Sequence, residues 1–353
     1  MFIRRPFGPT RVLAGQLYPC GMTEFDLIAR FFTRPAKCGL KPGINHVAVG
    51  VGDDCALINP TPGMQLAISS DMLVEGRHFF SDVSPYSLGY KALAVNLSDL
   101  AACGATPVGF TLPLALPRID EVWLQEFSRG LWALADAHGC ALIGGDTTRG
   151  PLNICITVFG EVPSGRALLR SAAQVGDDIY VSGTLGDARL ALEALQGKIE
   201  LPPNVLAAAR MRLEMPTPRV ALATALRGIA TSAIDVSDGL AGDLGHILKA
   251  SGVGAQIDAD IAITLIAASA RFDWATDQFD AEKQLNLVFS GGDDYELAFT
   301  APPSARSAVQ VASASSQTPV TRIGVIQSEP GMRLVNSHGI PVDGQFMSFD
   351  HFA

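Results

Sequence analysis

Six short acidic frames punctuate this 353-residue chain, most of them where an apolar run gives way to glycine or serine. They are Gly52-Asp53-Asp54, Ser69-Ser70-Asp71, Leu97-Ser98-Asp99-Leu100, Gly144-Gly145-Asp146, Asp235-Val236-Ser237-Asp238-Gly239 and Gly291-Gly292-Asp293-Asp294. A carboxylate at a strand end beside glycine is presented on a tight loop, where another group can approach the backbone closely. One such frame is only a turn, because Asp and Gly are ordinary turn formers. Six frames with few Lys or Arg beside them constrain the fold further. If they converge, mutual repulsion raises their pKa values or demands cations.

Mg²⁺ suits such a set, since it takes oxygen ligands in octahedral geometry, keeps some waters and bridges to phosphates. Asn96 and Asp99 are three apart in an apolar helical segment, so both can point at one site. No G-x-x-x-x-G-K-[ST], H-R-D loop or complete G-x-G-x-x-G is present. No G-x-S-x-G elbow or H-E-x-x-H occurs either. An ATP-using enzyme built on this sequence therefore holds the triphosphate mainly through carboxylate-bound metals. Arg170 can clamp a phosphate bidentately or serve as a surface charge. His78, seven residues after Asp71, can contact an anionic or aromatic substrate or be structural.

Periodicity predicts mixed strands and helices, hence α/β or α+β. An amphipathic helix spans Phe25–Phe32, and Leu66–Asp71 reads as a buried strand ending near Asp71. The clearest helix covers 87–103, with Gly104 as its stop. Val108–Leu116 reads as a strand whose Pro113 suggests an edge or a bulge. Glu121–His138 is a helix closed by Gly139, and Ile154–Glu161 a strand. After a turn at Pro163-Ser164-Gly165-Arg166, a second unit begins at Asp178. Helices follow around 186–196, 203–213, 216–227 and Leu240–Ala250. Strands end at Asp235 and cover Tyr295–Thr300 and Val320–Ile326. The domain expectation is an extension over 1–21, a first domain over 22–162 and a second over 163–353. Met22-Thr23-Glu24 reads as a natural beginning, with 1–21 a disordered extension or an upstream start.

Hydrophobic residues make up 48% of the chain and charged residues 17%, enough apolar material for a sizeable core. The formal net charge of -9 argues against a nucleic-acid partner. It leaves anionic small molecules open, because bound cations reverse the sign of a site. No apolar run approaches the ~20 residues a membrane helix needs, and residues 1–21 do not read as a secretory signal. Cys20, Cys38, Cys55, Cys103, Cys140 and Cys155 form no C-x-x-C pair, which favours buried thiols in a reducing cytoplasm.

The frames, in this order, resemble the thiamine-monophosphate kinase family from about Thr23 to Phe352. The most specific stretches are Gly52–Ala56, Tyr90–Ala102, Leu142–Gly150, Ser232–Leu240 and the terminal Asp350-His351-Phe352. The resemblance implies a two-domain fold like that of aminoimidazole ribonucleotide synthetase, α/β plus α+β, with strands pairing across a homodimer. It implies direct transfer of the ATP γ-phosphoryl group to thiamine monophosphate, assisted by several Mg²⁺ ions. By position, Asp54, Ser69, Ser70, Asp71, Asp99, Asp146, Asp235 and Asp238 match metal ligands, Asp71 and Asp146 being the most critical. Gly145, Asp146, Arg170 and Ser237 match ATP contacts, and His78, Asp293 and Phe349 contacts to the thiamine part. No side chain is implied as an acid or base. Ser70 replaces a common Thr, Asp293 a common Glu and Phe349 a common Tyr or Trp. Two other readings fit the same frames: another ATP-using member of the superfamily, or a non-catalytic nucleotide-binding module. A selenophosphate synthetase typically has a reactive Cys with a nearby Lys in a glycine-rich N-terminal segment, and Cys20 lacks that setting.

Overall fold

The computed structural model describes residues 22–33, 46–268, 279–342, 344 and 346. The expected 1–21 extension, Cys20, Cys38 and Phe349 lie outside the described residues. The chain enters through helix Glu24–Leu27 (α1), continued by a π-helical turn over Ile28–Phe32. A short antiparallel pair follows, Val47–Val49 (β1) with Leu57–Ile58 (β2). Then come Met64–Val74 (β3), Pro85–Ala102 (α2), Thr106–Leu116 (β4), Glu121–His138 (α3), Ala141–Arg149 (β5) and Asn153–Pro163 (β6).

The four long strands form one sheet in the order β3-β6-β4-β5. The β4–β5 pair is parallel and the other two are antiparallel. Strand β4 is therefore interior, not an edge. Register shifts fall between Pro107 and Gly109 and between Phe110 and Thr111, while Pro113 stays in register with Asp146 of β5.

Helices α2 and α3 cover the inner face of this sheet. Pro85 starts α2 in its first turn, where its missing N–H costs nothing. Asp120 caps α3 by accepting the Trp123 N–H at 3.1 Å, and Gly139 closes it at φ 60°. The two helices cross at backbone contact. A Cβ on Gly89 would collide with the Phe127 carbonyl oxygen, and one on Gly130 with that of Tyr86.

The second sheet uses Asp178–Ser182 (β7), Ser232–Val236 (β8), Gly254–Asp258 (β9), Glu296–Ala301 (β10), Val320–Gln327 (β11) and Gly331–Val335 (β12). Its order is β12-β9-β11-β7-β10-β8, antiparallel except for β12 on β9. Its helices are Asp187–Leu195 (α4), Pro203–Glu214 (α5), Val220–Ala225 (α6), Leu240–Ser251 (α7), Ala259–Ala262 (α8), Ala281–Phe289 (α9) and Arg306–Ser315 (α10). Period-2 alternation gives this sheet two buried faces. Tyr180, Ala233, Leu297 and Phe299 join the core around α2, while Ile179, Val181, Ile234, Val236 and Ala298 join a second core. Helix α2 thus lies between the two sheets, and one stripe of it borders the cleft they leave. Among the described residues, no helix is long and apolar enough to cross a membrane.

Candidate active site

A cleft of about 560 Å³ opens where α2 meets both sheets. Helix α2 contributes Leu88, Lys91, Val95 and Asp99, spaced three and four apart along one stripe. At the Asp99 end the wall is acidic. Ser69 and Asp71 lie two apart on β3 and so face the same side. The Asp99 carboxylate accepts a hydrogen bond from Ser69 Oγ. Asn96, only 1% exposed, accepts the Asp71 backbone N–H at 3.0 Å and donates to the Ala92 carbonyl at 3.0 Å. It pins β3 to α2 at Asp71 itself.

Asp235, near the end of β8, accepts from Ser98 Oγ at 2.8 Å and completes the group from the second sheet. Asp238 follows in the turn before α7. That turn is held by Asp243, whose carboxylate accepts the backbone N–H groups of Ser237 and Asp238, each at 3.0 Å. Sequence reasoning misses Asp243; its one signal is an Asp in the first turn of a helix that follows an acidic frame.

These carboxylates hold protons more tightly than usual. Burial pushes Asp71 up to about 6, and the charges of Asp99 and Asp238 add to it. Burial pushes Asp235 up to about 8, with Asp99 next and the Ser98 bond opposing. Burial also raises Asp99, offset by the Ser69 bond and the charge of Arg170. Asp243 rises to about 7 through burial, against the two backbone hydrogen bonds that favour its ionised form. Arg170 therefore flanks the carboxylates electrostatically from an exposed position.

The donor set is hard oxygen only, carboxylates and a hydroxyl. Among the described residues no three Asp, Glu, His or Cys side chains close a cage around one point. The oxygen donors suit Mg²⁺, which is usually held by one or two carboxylates with waters and substrate phosphates completing the octahedron. A zinc-type cage is a different arrangement.

The rest of the cleft mixes apolar side chains, Phe79, Phe80, Val83, Leu88, Leu192 and Leu213, with the basic Arg77, Arg189 and Lys198. His78 lines it, and its Nδ1 accepts the Val74 backbone N–H at 3.0 Å, tying down the turn after β3. Facing it is the Asp293-Asp294-Tyr295-Glu296 run. Asp293 and Tyr295 adopt φ values of 68° and 50°, a region costing about 1–2 kcal/mol for a residue with a side chain. The Asp293 carboxylate meets the Lys91 ammonium at 2.6 Å. Asp294, 1% exposed, accepts the Gly186 N–H at 2.8 Å at the start of α4, and burial raises its pKa well above the usual range. Glu296 is fully buried and accepts from Arg212 (2.7 Å), Arg219 (2.6 and 2.5 Å) and Ser182 (2.6 Å). Sequence reasoning assigns no role to Lys91, Asp294 or Glu296, because nothing in a sequence separates a cleft lysine or a buried carboxylate from a surface one.

The structure thus brings together Ser69, Asp71, His78, Asp99, Asp235, Ser237, Asp238 and Asp293. Ser70, Asp146 and Asp54 do not line the same cleft. Ser70 faces the opposite side of β3, where its Oγ lies 3.0 Å from Thr157 Oγ1. Asp146 pairs with Pro113 in the parallel β4–β5 ladder and is exposed. It is mid-strand, not at a strand end. Strand β5 runs through Gly144-Gly145-Asp146 because Gly145, at φ 148°, lets the Leu112 carbonyl oxygen occupy the space a Cβ would need. Three strand spacings separate β3 from β5, about 14 Å. Asp54 is exposed in the β1–β2 connection.

The AIR synthase related protein N-terminal domain matches residues 52–162, and the AIR synthase related protein C-terminal domain matches 174–336. Thiamine-monophosphate kinase of Salmonella typhimurium is 46% identical over 336 residues, covering 95% of this chain and 99% of that one. The chain belongs to the thiamine-monophosphate kinase family. Within it, the crystal structure from Stenotrophomonas maltophilia K279a is 44% identical, with a TM-score of 0.76 over 84% of this chain and 93% of that one. The structure of AaThiL complexed with AMPPCP and TMP is 26% identical, with a TM-score of 0.67 over 80% and 88%. The two-domain fold expected from the family resemblance is the fold observed.

Proposed function

We propose that the chain transfers the γ-phosphoryl group of ATP to the phosphate of thiamine monophosphate, giving thiamine diphosphate and ADP. The observation that carries this reading is one cleft in a chain of this family, with clustered aspartates at one end and apolar and basic side chains along the rest. A phosphate oxygen of the acceptor attacks the γ-phosphorus while the bond from that phosphorus to the β–γ bridging oxygen breaks, and the bridging oxygen leaves as part of ADP. The acceptor phosphate is largely ionised near neutral pH, so no side chain has to remove a proton. The raised carboxylates are then metal holders, not acids or bases. When bound, Mg²⁺ supplies charge neutralisation between the two polyanions and on the transferring group.

Ser69, Asp71, Asp99, Asp235 and Asp238 are the ligands we assign from the cleft, with Asp54, Ser70 and Asp146 as further ones. Gly145, Asp146, Arg170 and Ser237 serve ATP; His78, Asp293 and Phe349 serve the thiamine part. Residues 22–162 carry the nucleotide and dimerisation roles, and 163–353 the second domain. Support for a homodimer comes from β3, an 11-residue edge strand whose outer face leaves Met64, Leu66, Ile68 and Met72 at 36%, 44%, 60% and 51% exposure. A long apolar edge strand left open is an aggregation site unless something covers it. A second copy covering that face would also lie over Ser70 and Asp146. The free thiols of Cys55, Cys103, Cys140 and Cys155 favour a reducing cytoplasm, though of these four only Cys140 is buried as expected.

The test is formation of thiamine diphosphate from ATP and thiamine monophosphate, with and without Mg²⁺. Product that depends on Mg²⁺ supports the reading, and absence of product overturns it.

A further inference from the structure

The strained run at Asp293–Glu296 is anchored at four points. The Asp293 N–H donates to the Ser237 carbonyl at 2.9 Å, and the Tyr295 N–H to that of Val236 at 2.8 Å. Asp294 holds the start of α4, and Glu296 holds Arg212 and Arg219. Strain of this kind persists only where the surroundings over-determine it, and it clusters at ligand clamps. None of these anchors decides where the Asp293 carboxylate points.

Lys91 does. It comes from α2, on the other side of the cleft, and is only 3% exposed. Among the described residues, Asp293 Oδ1 is the acceptor its ammonium has, at 2.6 Å. A desolvated ammonium holds a carboxylate firmly, because charge-assisted hydrogen bonds are short and strong and little water competes. With Oδ1 taken, Oδ2 is the oxygen left for a ligand, and the Asp293 side chain is 31% exposed where it lines the cleft.

We propose that Lys91 is a positioning residue that aims Asp293 at the thiamine part of the acceptor. The inference rests on the reading of Asp293 as an acceptor contact. It makes Lys91 a specificity element working through Asp293, without touching the acceptor phosphate itself. The cationic ring and amino group of thiamine are the chemistry an oriented carboxylate recognises.

Steady-state kinetics with ATP and thiamine monophosphate varied separately test it, in Lys91→Met, Lys91→Arg, Asp293→Asn and the double variant Lys91→Met/Asp293→Asn. Asp293→Asn and Lys91→Met should each raise KM for thiamine monophosphate about tenfold and leave KM for ATP within about twofold. Lys91→Arg should recover part of the loss. The double variant should match Asp293→Asn, because residues acting through one contact are non-additive. It also carries neither charge, so it keeps the comparison available if Lys91→Met fails to fold. A further rise in acceptor KM from Lys91→Met on the Asp293→Asn background would mean direct contact and overturn the inference. So would an equal rise in KM for ATP. If Asp293→Asn raises acceptor KM and Lys91→Met does not, the inference alone fails. If Asp293→Asn leaves acceptor KM unchanged, the reading of Asp293 fails and the inference falls with it.

Discussion

Ser69 and Ser70 are neighbours in the chain and live in different surroundings. Ser69 faces the cleft and donates to Asp99, among carboxylates that burial has pushed toward their protonated forms. Ser70 faces outward, in a row with Ile68 at 60% exposure and Met72 at 51%. The inward face is supported by the rest of the chain: Asn96 fixes Asp71, Ser98 fixes Asp235 and Asp243 fixes the turn carrying Asp238. The outward face has apolar side chains in water and two expected ligands, Ser70 and Asp146, with no acidic partner from the second sheet among the described residues. A pleated strand alternates its side chains, so one residue of register decides which surroundings a hydroxyl meets. The contrast teaches that one face is organised by contacts from both sheets, while the other is the face on which the proposed dimer would form.

The largest expected effects put the two faces on equal terms. Asp71→Asn on the inner face and Asp146→Asn on the outer face should each lower kcat/KM by about 10²–10³-fold or more, the scale of losing one electrostatic stabiliser. Both should keep a cooperative thermal transition near that of the parent. If only Asp71→Asn loses activity, Asp146 is not part of the site. Next comes assembly: Ile68→Lys should convert a dimeric parent to a monomer in light scattering, since a lysine there would be buried unpaired. An unchanged mass would show that this face is not the interface.

The third prediction concerns protons. Asp235 has its pKa raised from 3.8 to about 8, so in the metal-free protein the native state binds its proton more tightly than the unfolded chain. The stability this confers is complete below 3.8 and is lost progressively as pH rises from there through about 8. Asp235→Asn should therefore gain thermal midpoint relative to the parent as pH rises across that window. A difference that is flat or falls with pH would break the account. The smallest effect separates the two serine environments: Ser98→Ala removes a partner from a buried carboxylate and should cost about 1–3 kcal/mol in chemical denaturation. Ser70→Ala, on the exposed face, should stay within about 0.5 kcal/mol.

Much of the fold is legible in the sequence. The ends of α2 and α3 follow from the glycines at 104 and 139, while α2 starts two residues before the expected 87, at Pro85. Strands β9 and β12 and helices α9 and α10 are not. Gly254–Asp258 and Gly331–Val335 are five residues each like β7 and β8, but Gln256 and Arg333 break the short apolar run that marks those two. Pro113 argues locally for an edge or a bulge, while its place in an interior strand, in register with Asp146, is decided by the strands on either side. The candidate site is half legible. Asp71, Asp99, Asp235 and Asp238 announce themselves by their frames. Asp294 and Glu296 share the run with Asp293, yet one caps α4 and the other is locked between two arginines.

By itself the sequence determined residue chemistry and local geometry: oxygen-rich acidic frames, the missing phosphate loop, the helix limits and the family. Only the tertiary structure decided which aspartates meet. Asp71, Asp99 and Asp235 come from a strand, a helix and a second sheet, and their convergence depends on α2 lying between two sheets. Local propensity acts over a few residues, whereas the repulsion that raises the pKa values of these carboxylates acts only across distances that packing sets.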